Sequence, residues 1–374
     1  MPYLPSMKNI RYILMILLVL LGACSRRDSI KGVYVILQNP EIRQRYGGEM
    51  GALADALKEA RISMVVSPVF EHGTAYYPSD VFPRRWDYGT QLLAFRHELR
   101  RRNIRFAAHI PLFTDAYTYR AQPHMRAVNN YGSRTESETW NALCPSDREY
   151  QDYKIRAIIE IMLILQPDMI YLDDLHFPLN TADISGEFSR SYCFCPGCLQ
   201  KFEKNTGITL PHQFSTADIA AKILHEHEHA WMEWKCEVIA DFLSRVEREI
   251  HNAHPECRIM VSLLPLKYED NSYENKLLSG QDTDLLYQHS DIFVIPRTSF
   301  SVNEYDINYS APVYALQSKE QRIIAGTDLN VYLENGKEQE FQRDMKRFRR
   351  NIIVSSWDKL LKNRTYMTIF SMEP

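Results

Sequence analysis

The chain has 374 residues, 45% of them hydrophobic and 24% charged. That is enough apolar material for a large core without disulfides or a partner, and it excludes the disordered, collagenous and coiled-coil classes. The net charge of −3, from 44 basic and 47 acidic side chains, provides no broad basic field, so no nucleic-acid partner is expected.

In chain order, Lys8 and Arg11 come first, followed by an apolar run from Tyr12 to Ala23. The run is shorter than the roughly 20 residues of a membrane-spanning helix and has the length of a signal-peptide core. It closes on Leu21-Gly22-Ala23-Cys24, which resembles a bacterial lipobox. That resemblance implies a lipoprotein signal peptide over residues 1–23, lipidation of Cys24, a short linker over 24–31 and a single domain over 32–374. The domain would then be held at the bacterial cell envelope, on its periplasmic or surface side, by acyl chains. An uncleaved signal anchor is the alternative.

Eight short runs rich in Val, Ile and Phe predict strands at 32–37, 63–70, 105–113, 168–175, 258–266, 291–296, 322–328 and 352–357. Amphipathic stretches predict helices at 50–60, 90–102, 147–165, 216–253, 279–289 and 336–350. Strands alternating with helices, with no repeat or low-complexity linker, predict one (β/α)8 barrel of the TIM class. A doubly wound open sheet is the runner-up, disfavoured because GVYVILQNPEIR stands where a glycine-rich phosphate turn would be.

Chemistry in such a barrel collects at the C-terminal ends of the strands. The third predicted strand ends His109-Ile110-Pro111, the fourth Asp173-Asp174-Leu175-His176, the sixth Pro296-Arg297-Thr298, the seventh Thr327-Asp328 and the eighth Trp357-Asp358. Neighbouring side chains on a strand face opposite ways, so one of Asp173 and Asp174 is expected at the mouth and the other as a brace. Hydrolysis of a glycosidic bond needs two carboxyl groups, roughly 5 Å apart for retention or 6.5 to 9.5 Å for inversion, reached from different strands. Asp174 is the preferred acid/base, Asp173 its support, Asp328 the second carboxylate and Asp358 the reserve. His109, His176 and Arg297 are candidate polar contacts. The rings of Tyr76, Tyr77, Trp86, Trp140 and Trp357 are candidates to stack on sugar faces.

The segment WNALCPSDREYQDYKIRAIIEIMLILQPDMIYLDDLHFP (140–178), preceded by HGTAYYPSDVFP and LLAFRHELRRRNIRFAAHIPLF, resembles glycosyl hydrolase-like barrels in which a long helix precedes a strand ending in D-D-x-x-x-P. The resemblance implies an active site at Asp173 and Asp174 and an oligo- or polysaccharide substrate.

Of seven cysteines, Cys193, Cys195 and Cys198 form Cys-x-Cys-x-x-Cys, and Cys144 stands in the Leu-Cys-Pro-Ser turn upstream. Three sulfurs on one loop and a fourth from an adjacent one can complete a tetrahedral thiolate site. This pattern is similar to that of glycoside hydrolase family 42 β-galactosidases, which implies that Cys144, Cys193, Cys195 and Cys198 bind a structural zinc and that no catalytic cofactor is required. The chain departs from that family in having Asp173-Asp174 where the family has an Asn-Glu pair. Two disulfides are the alternative in an exported protein, and Cys236 and Cys257 are expected to be buried or bridged to each other.

His225-Glu-His-Glu-His229 satisfies the H-E-x-x-H pattern of zinc proteases. It lacks an evident third ligand, and the alternating charge reads as a solvated helix face. The rival to an enzyme is a silent carbohydrate-binding envelope lipoprotein that keeps the barrel as a scaffold.

Overall fold

The computed structural model describes residues 30–84, 89–134, 141–178, 192–264, 272–297, 322–333, 336–348 and 351–372. Residues 1–23, Cys24, Trp86 and Trp140 lie outside them, as does the side chain of Arg297. Eight parallel strands close into one barrel: β1 (Ile30–Tyr34), β2 (Met64–Pro68), β3 (Arg105–Pro111), β4 (Met169–Asp173), β5 (Arg258–Ser262), β6 (Ile292–Arg297), β7 (Arg322–Asp328) and β8 (Asn351–Ser355). Each pairs with the next, and β8 pairs with β1. This is the (β/α)8 barrel that the alternating pattern predicts. β1 already includes Ile30, two residues ahead of the predicted domain start.

Side-chain alternation sorts the strands into two cores. Ile30, Met64, Val66, Ala107, Met169, Tyr171, Met260, Ile292, Val294, Ile324 and Ile353 fill the barrel interior, while the alternate residues pack outward against the helices. Continuing the inward register up each strand brings Tyr34, His109, Asp173, Ser262, Asp328 and Ser355 to the C-terminal mouth. The register therefore places this polar layer directly above an apolar floor.

The helix Arg148–Leu165 leads into β4 and starts where the Asp147 carboxylate accepts from the backbone N–H of Tyr150. At its other end Gln166 takes a left-handed conformation that stops it. At the bottom of the barrel Asp168, just before β4, accepts from Phe106 N at 2.7 Å and pairs with Arg96 at 3.1 Å, tying β4 to β3 and its helix.

Two predicted helices are broken. The long one divides at His227 (φ −134°) into Thr216–Glu226 and Glu228–Ala253. The segment predicted at 279–289 instead holds the end of a helix, Ser272–Ser279, and two short turns, Thr283–Leu286 and Tyr287–His289. Gly280 separates them at φ +74°, where an added Cβ would lie 3.0 Å from the carbonyl of Lys235 and from the Phe177 ring. Only glycine satisfies both the backbone and the space. Among the described residues no helix is long and apolar enough to cross a membrane.

Candidate active site and thiolate centre

β4 ends in two carboxylates that stand in different surroundings. Asp173, in the inward register, takes a 3.1 Å hydrogen bond from His109 Nε2. It also accepts from the hydroxyl of Ser262, on β5, and from the backbone N–H of Asp174. Burial pushes its pKa up, but these donors outweigh burial and hold the carboxyl at about 2. An ionised carboxylate only accepts, so Nε2 carries the proton of His109. The imidazole is clamped between Tyr34, edge-on at 5.4 Å between centroids, and Tyr171, tilted at 5.2 Å, and Tyr171 donates to Ser262 at 3.3 Å.

The chain then turns out of the strand at Asp174, which has φ +52°, a conformation that Asp tolerates better than most side chains. Burial and the charge of Asp173 raise the Asp174 pKa, against the smaller pull of His176 and a hydrogen bond donated by Thr114. His176 donates from Nδ1 to the carbonyl of Phe177 at 2.8 Å, which leaves Nε2 facing Asp174 Oδ1 at 3.8 Å. The two aspartates keep 35% and 34% of their side-chain surface open. The environment thus favours the ionised form of Asp173 and the protonated form of Asp174.

The other predicted site residues fall into two groups. Asp328 is in the inward register at the end of β7, where it accepts from Asn330 N (3.0 Å) and Ser355 Oγ (3.3 Å), with Lys359 Nζ at 3.5 Å. His109 is 8% exposed with Nε2 committed to Asp173, so it holds that carboxylate rather than a ligand. Four expectations are corrected by burial. Tyr77 is 1% exposed and donates to Glu160 at 2.9 Å, pinning the loop after β2 to the helix Arg148–Leu165. Trp357 is 2% exposed, with its ring packed inside the body. Asp358 is buried in the first turn of the helix Trp357–Lys362, where it accepts from Ser356 Oγ. Tyr76 is likewise buried and donates to Glu71 at 2.9 Å. The H-E-x-x-H pattern fails on geometry, because the break at His227 leaves His225 and His229 on separate helices.

Sequence patterns missed Glu71 and Tyr34. Glu71 lies on a hairpin, Phe70–Glu71 with Thr74–Ala75, that projects from the end of β2. Burial raises the Tyr34 phenol pKa, and neighbouring Tyr171 and the charges of Asp173, Glu71 and Asp174 add to it. Tyr34 thus marks a rim region shared by three carboxylates. Its only signal in the sequence was position, as the last inward residue of the first strand.

The four predicted cysteines converge. Their Sγ atoms all lie within 4.8 Å of one another, with Cys144 at 3.6 Å from Cys195 and 3.3 Å from Cys198. A tetrahedron of sulfurs at about 2.3 Å from a metal has edges near 3.8 Å, so the set fits a tetrathiolate ion. The six described cysteines are all free and buried. Local sequence builds the nest. Cys195 caps the helix Pro196–Thr206, accepting from Cys198 N, and Pro196 fits the first turn because it needs no donor there. Val128 N donates to Cys193 Sγ at 3.2 Å. Contacts from the other three sulfurs drive the Cys195 thiol far below its ordinary range, while burial pushes Cys193 and Cys198 up. Behind the loop Phe194 stacks on Trp231 at 4.9 Å and Phe202 meets it edge-on at 5.0 Å.

Among solved structures, the fold is similar to the glycoside hydrolase domain of PgaB (BpsB) from Bordetella bronchiseptica, at 14% identity over 92% of this chain and 99% of that one, with a TM-score of 0.66. It is similar to Gan42B, a GH42 β-galactosidase from G. stearothermophilus, at 13% identity over 93% of this chain and 56% of that one, TM-score 0.62. It is also similar to α-L-fucosidase isoenzyme 2 from Paenibacillus thiaminolyticus, at 16% identity over 92% and 48%, TM-score 0.60. The chain spans about half the length of these last two proteins. No family profile and no curated protein sequence matches it. At these identities the likeness shows the fold, a glycoside-hydrolase-like barrel.

Proposed function

We propose that the protein is a glycoside hydrolase acting on an oligo- or polysaccharide at the bacterial cell envelope, anchored through a lipid on Cys24. The observation that carries the reading is the adjacent pair at the end of β4, with Asp173 held ionised and Asp174 pushed toward its protonated form. Asp174 donates its proton to the glycosidic oxygen as the C–O bond breaks. Asp173, fixed by His109 and Ser262, keeps the proton on Asp174 by charge repulsion. Asp328, on β7, supplies the carboxylate that faces the anomeric carbon or its attacking water. Glycoside hydrolases among the similar barrels support the substrate class.

The sulfurs of Cys144, Cys193, Cys195 and Cys198 hold a zinc ion. Four protein ligands leave it no open position, so it supplies structure rather than chemistry. It fixes the loop that follows the catalytic strand. Screening the purified chain from Ser25 onward against a panel of polysaccharides and aryl glycosides, with Asp174→Asn as control, tests the reading. Release of reducing ends by wild type alone supports it. Binding without turnover marks a carbohydrate-binding barrel instead.

A further inference from the structure

A fully buried lysine amine, whose pKa burial lowers to about 7, stands near the sulfur cluster, and among the described residues no carboxylate lies beside it. Lys235 is 0% exposed on the helix Glu228–Ala253. Its Nζ donates to the carbonyls of Tyr192 at 3.3 Å and Leu278 at 3.0 Å, and lies 5.1 Å from the centre of the Phe177 ring. Among the described residues no Asp or Glu pairs with it; the ionisable groups nearest to it in effect are the sulfurs of Cys236, Cys198 and Cys193, which would act on it as thiolates. Buried cations persist where something nearby neutralises them. A divalent ion on four thiolates carries a net charge of about −2 and needs positive charge nearby.

The two carbonyls held by Lys235 belong to different walls of the site. Tyr192 immediately precedes Cys193. Leu278 opens the segment in which Ser279 O accepts from Phe177 N at 2.7 Å and Gln281 Nε2 donates to Leu175 O at 3.1 Å. Leu175 and Phe177 flank His176, directly after Asp174. One ammonium therefore bridges the metal loop to the backbone that supports the acid pair.

We propose that Lys235 is the built-in countercharge of the thiolate centre, and that through its two carbonyl bonds it clips the metal loop to the segment supporting Asp174 and His176. This rests on the zinc reading above. It makes Lys235 a positioning residue whose charge strengthens metal binding and is a liability once the metal leaves.

The test uses the whole folded protein with zinc alone as the probe. Zinc affinity is measured by competition with a chromophoric chelator for wild type, Lys235→Met, which keeps the bulk without charge, and Lys235→Gln, which keeps two hydrogen-bond donors without charge. Both variants are expected to bind zinc at least tenfold more weakly, equivalent to about 1.4 kcal/mol. Metal-free Lys235→Gln, which keeps donors for the two carbonyls, is expected to melt no lower than metal-free wild type, while the zinc-loaded variant melts below its wild-type counterpart, a split that a purely structural role would not produce. Lys235→Gln with wild-type zinc affinity overturns the inference and leaves the zinc reading intact. A wild-type protein that holds no zinc overturns both.

Discussion

His109 and Asp173 are joined at 3.1 Å across the β3–β4 pair, and through that bond a histidine that no ligand can easily reach governs an acid at the mouth. The register sets Pro111 opposite Asp173 and His109 opposite Tyr171, so the imidazole reaches up one inward step to meet the carboxylate. Asp173 is consequently a fixed charge, and it adds to burial in raising the pKa of its neighbour Asp174.

Removing the charge of Asp174 separates function from stability. Asn keeps the shape and tolerates φ +52°. Asp174→Asn is expected to lower turnover about 100- to 10,000-fold, the usual worth of a general acid. Thermal unfolding at neutral pH should show it more stable than wild type by about 0.5–1 kcal/mol after solvent screening, because like-charge repulsion with Asp173 disappears. The wild-type penalty is itself relieved as the pH falls through the raised pKa of Asp174, so the variant's advantage should shrink in acid.

Asp173 has the opposite sign. Its folded pKa of about 2 lies below an unfolded value of about 3.9. The stability it contributes is present above about pH 4 and is lost as the pH falls toward about 2. With a third of the side chain open, this amounts to about 1 kcal/mol. Urea unfolding at several pH values should show that loss in wild type and a smaller one in His109→Phe, which lacks the donor.

Tyr77 offers a test of packing against ligand contact. Its hydroxyl donates to Glu160, which also accepts from Ser79. Tyr77→Phe should cost about 1 kcal/mol in denaturant unfolding and leave the Michaelis constant for any accepted glycan unchanged.

Gly280→Ala should destabilise by about 1–3 kcal/mol, since a side chain there is strained at φ +74° and meets Lys235 O and Phe177 at 3.0 Å. Because Gly280 lies between Ser279 and Gln281, the residues that support the strand-4 loop, turnover should fall along with the melting temperature.

The barrel and the cysteine set were legible in the sequence because each rests on a local pattern. Runs of Val and Ile mark strands wherever they occur, and Cys193, Cys195 and Cys198 sit at a spacing that serves one loop. Aromatic residues carried no such information. Tyr77 and Trp357 follow strands at the expected rim, but whether a ring faces solvent depends on what packs over it, here Glu160 in one case and the body of the protein in the other. Tyr34 and Glu71 were hidden for the same reason, since their importance comes from contacts between elements distant in the chain. The break at His227 escaped notice because the sequence around it carries neither Pro nor Gly.

The most direct measurement is the rate of reducing-end release from the accepted glycan by wild type and by Asp174→Asn, each first shown to be folded by its melting curve. Wild type is expected to hydrolyse the glycan measurably and the variant to lose at least about 100-fold in rate, with glycan binding retained. Equal rates for the two proteins would show that Asp174 is not the acid.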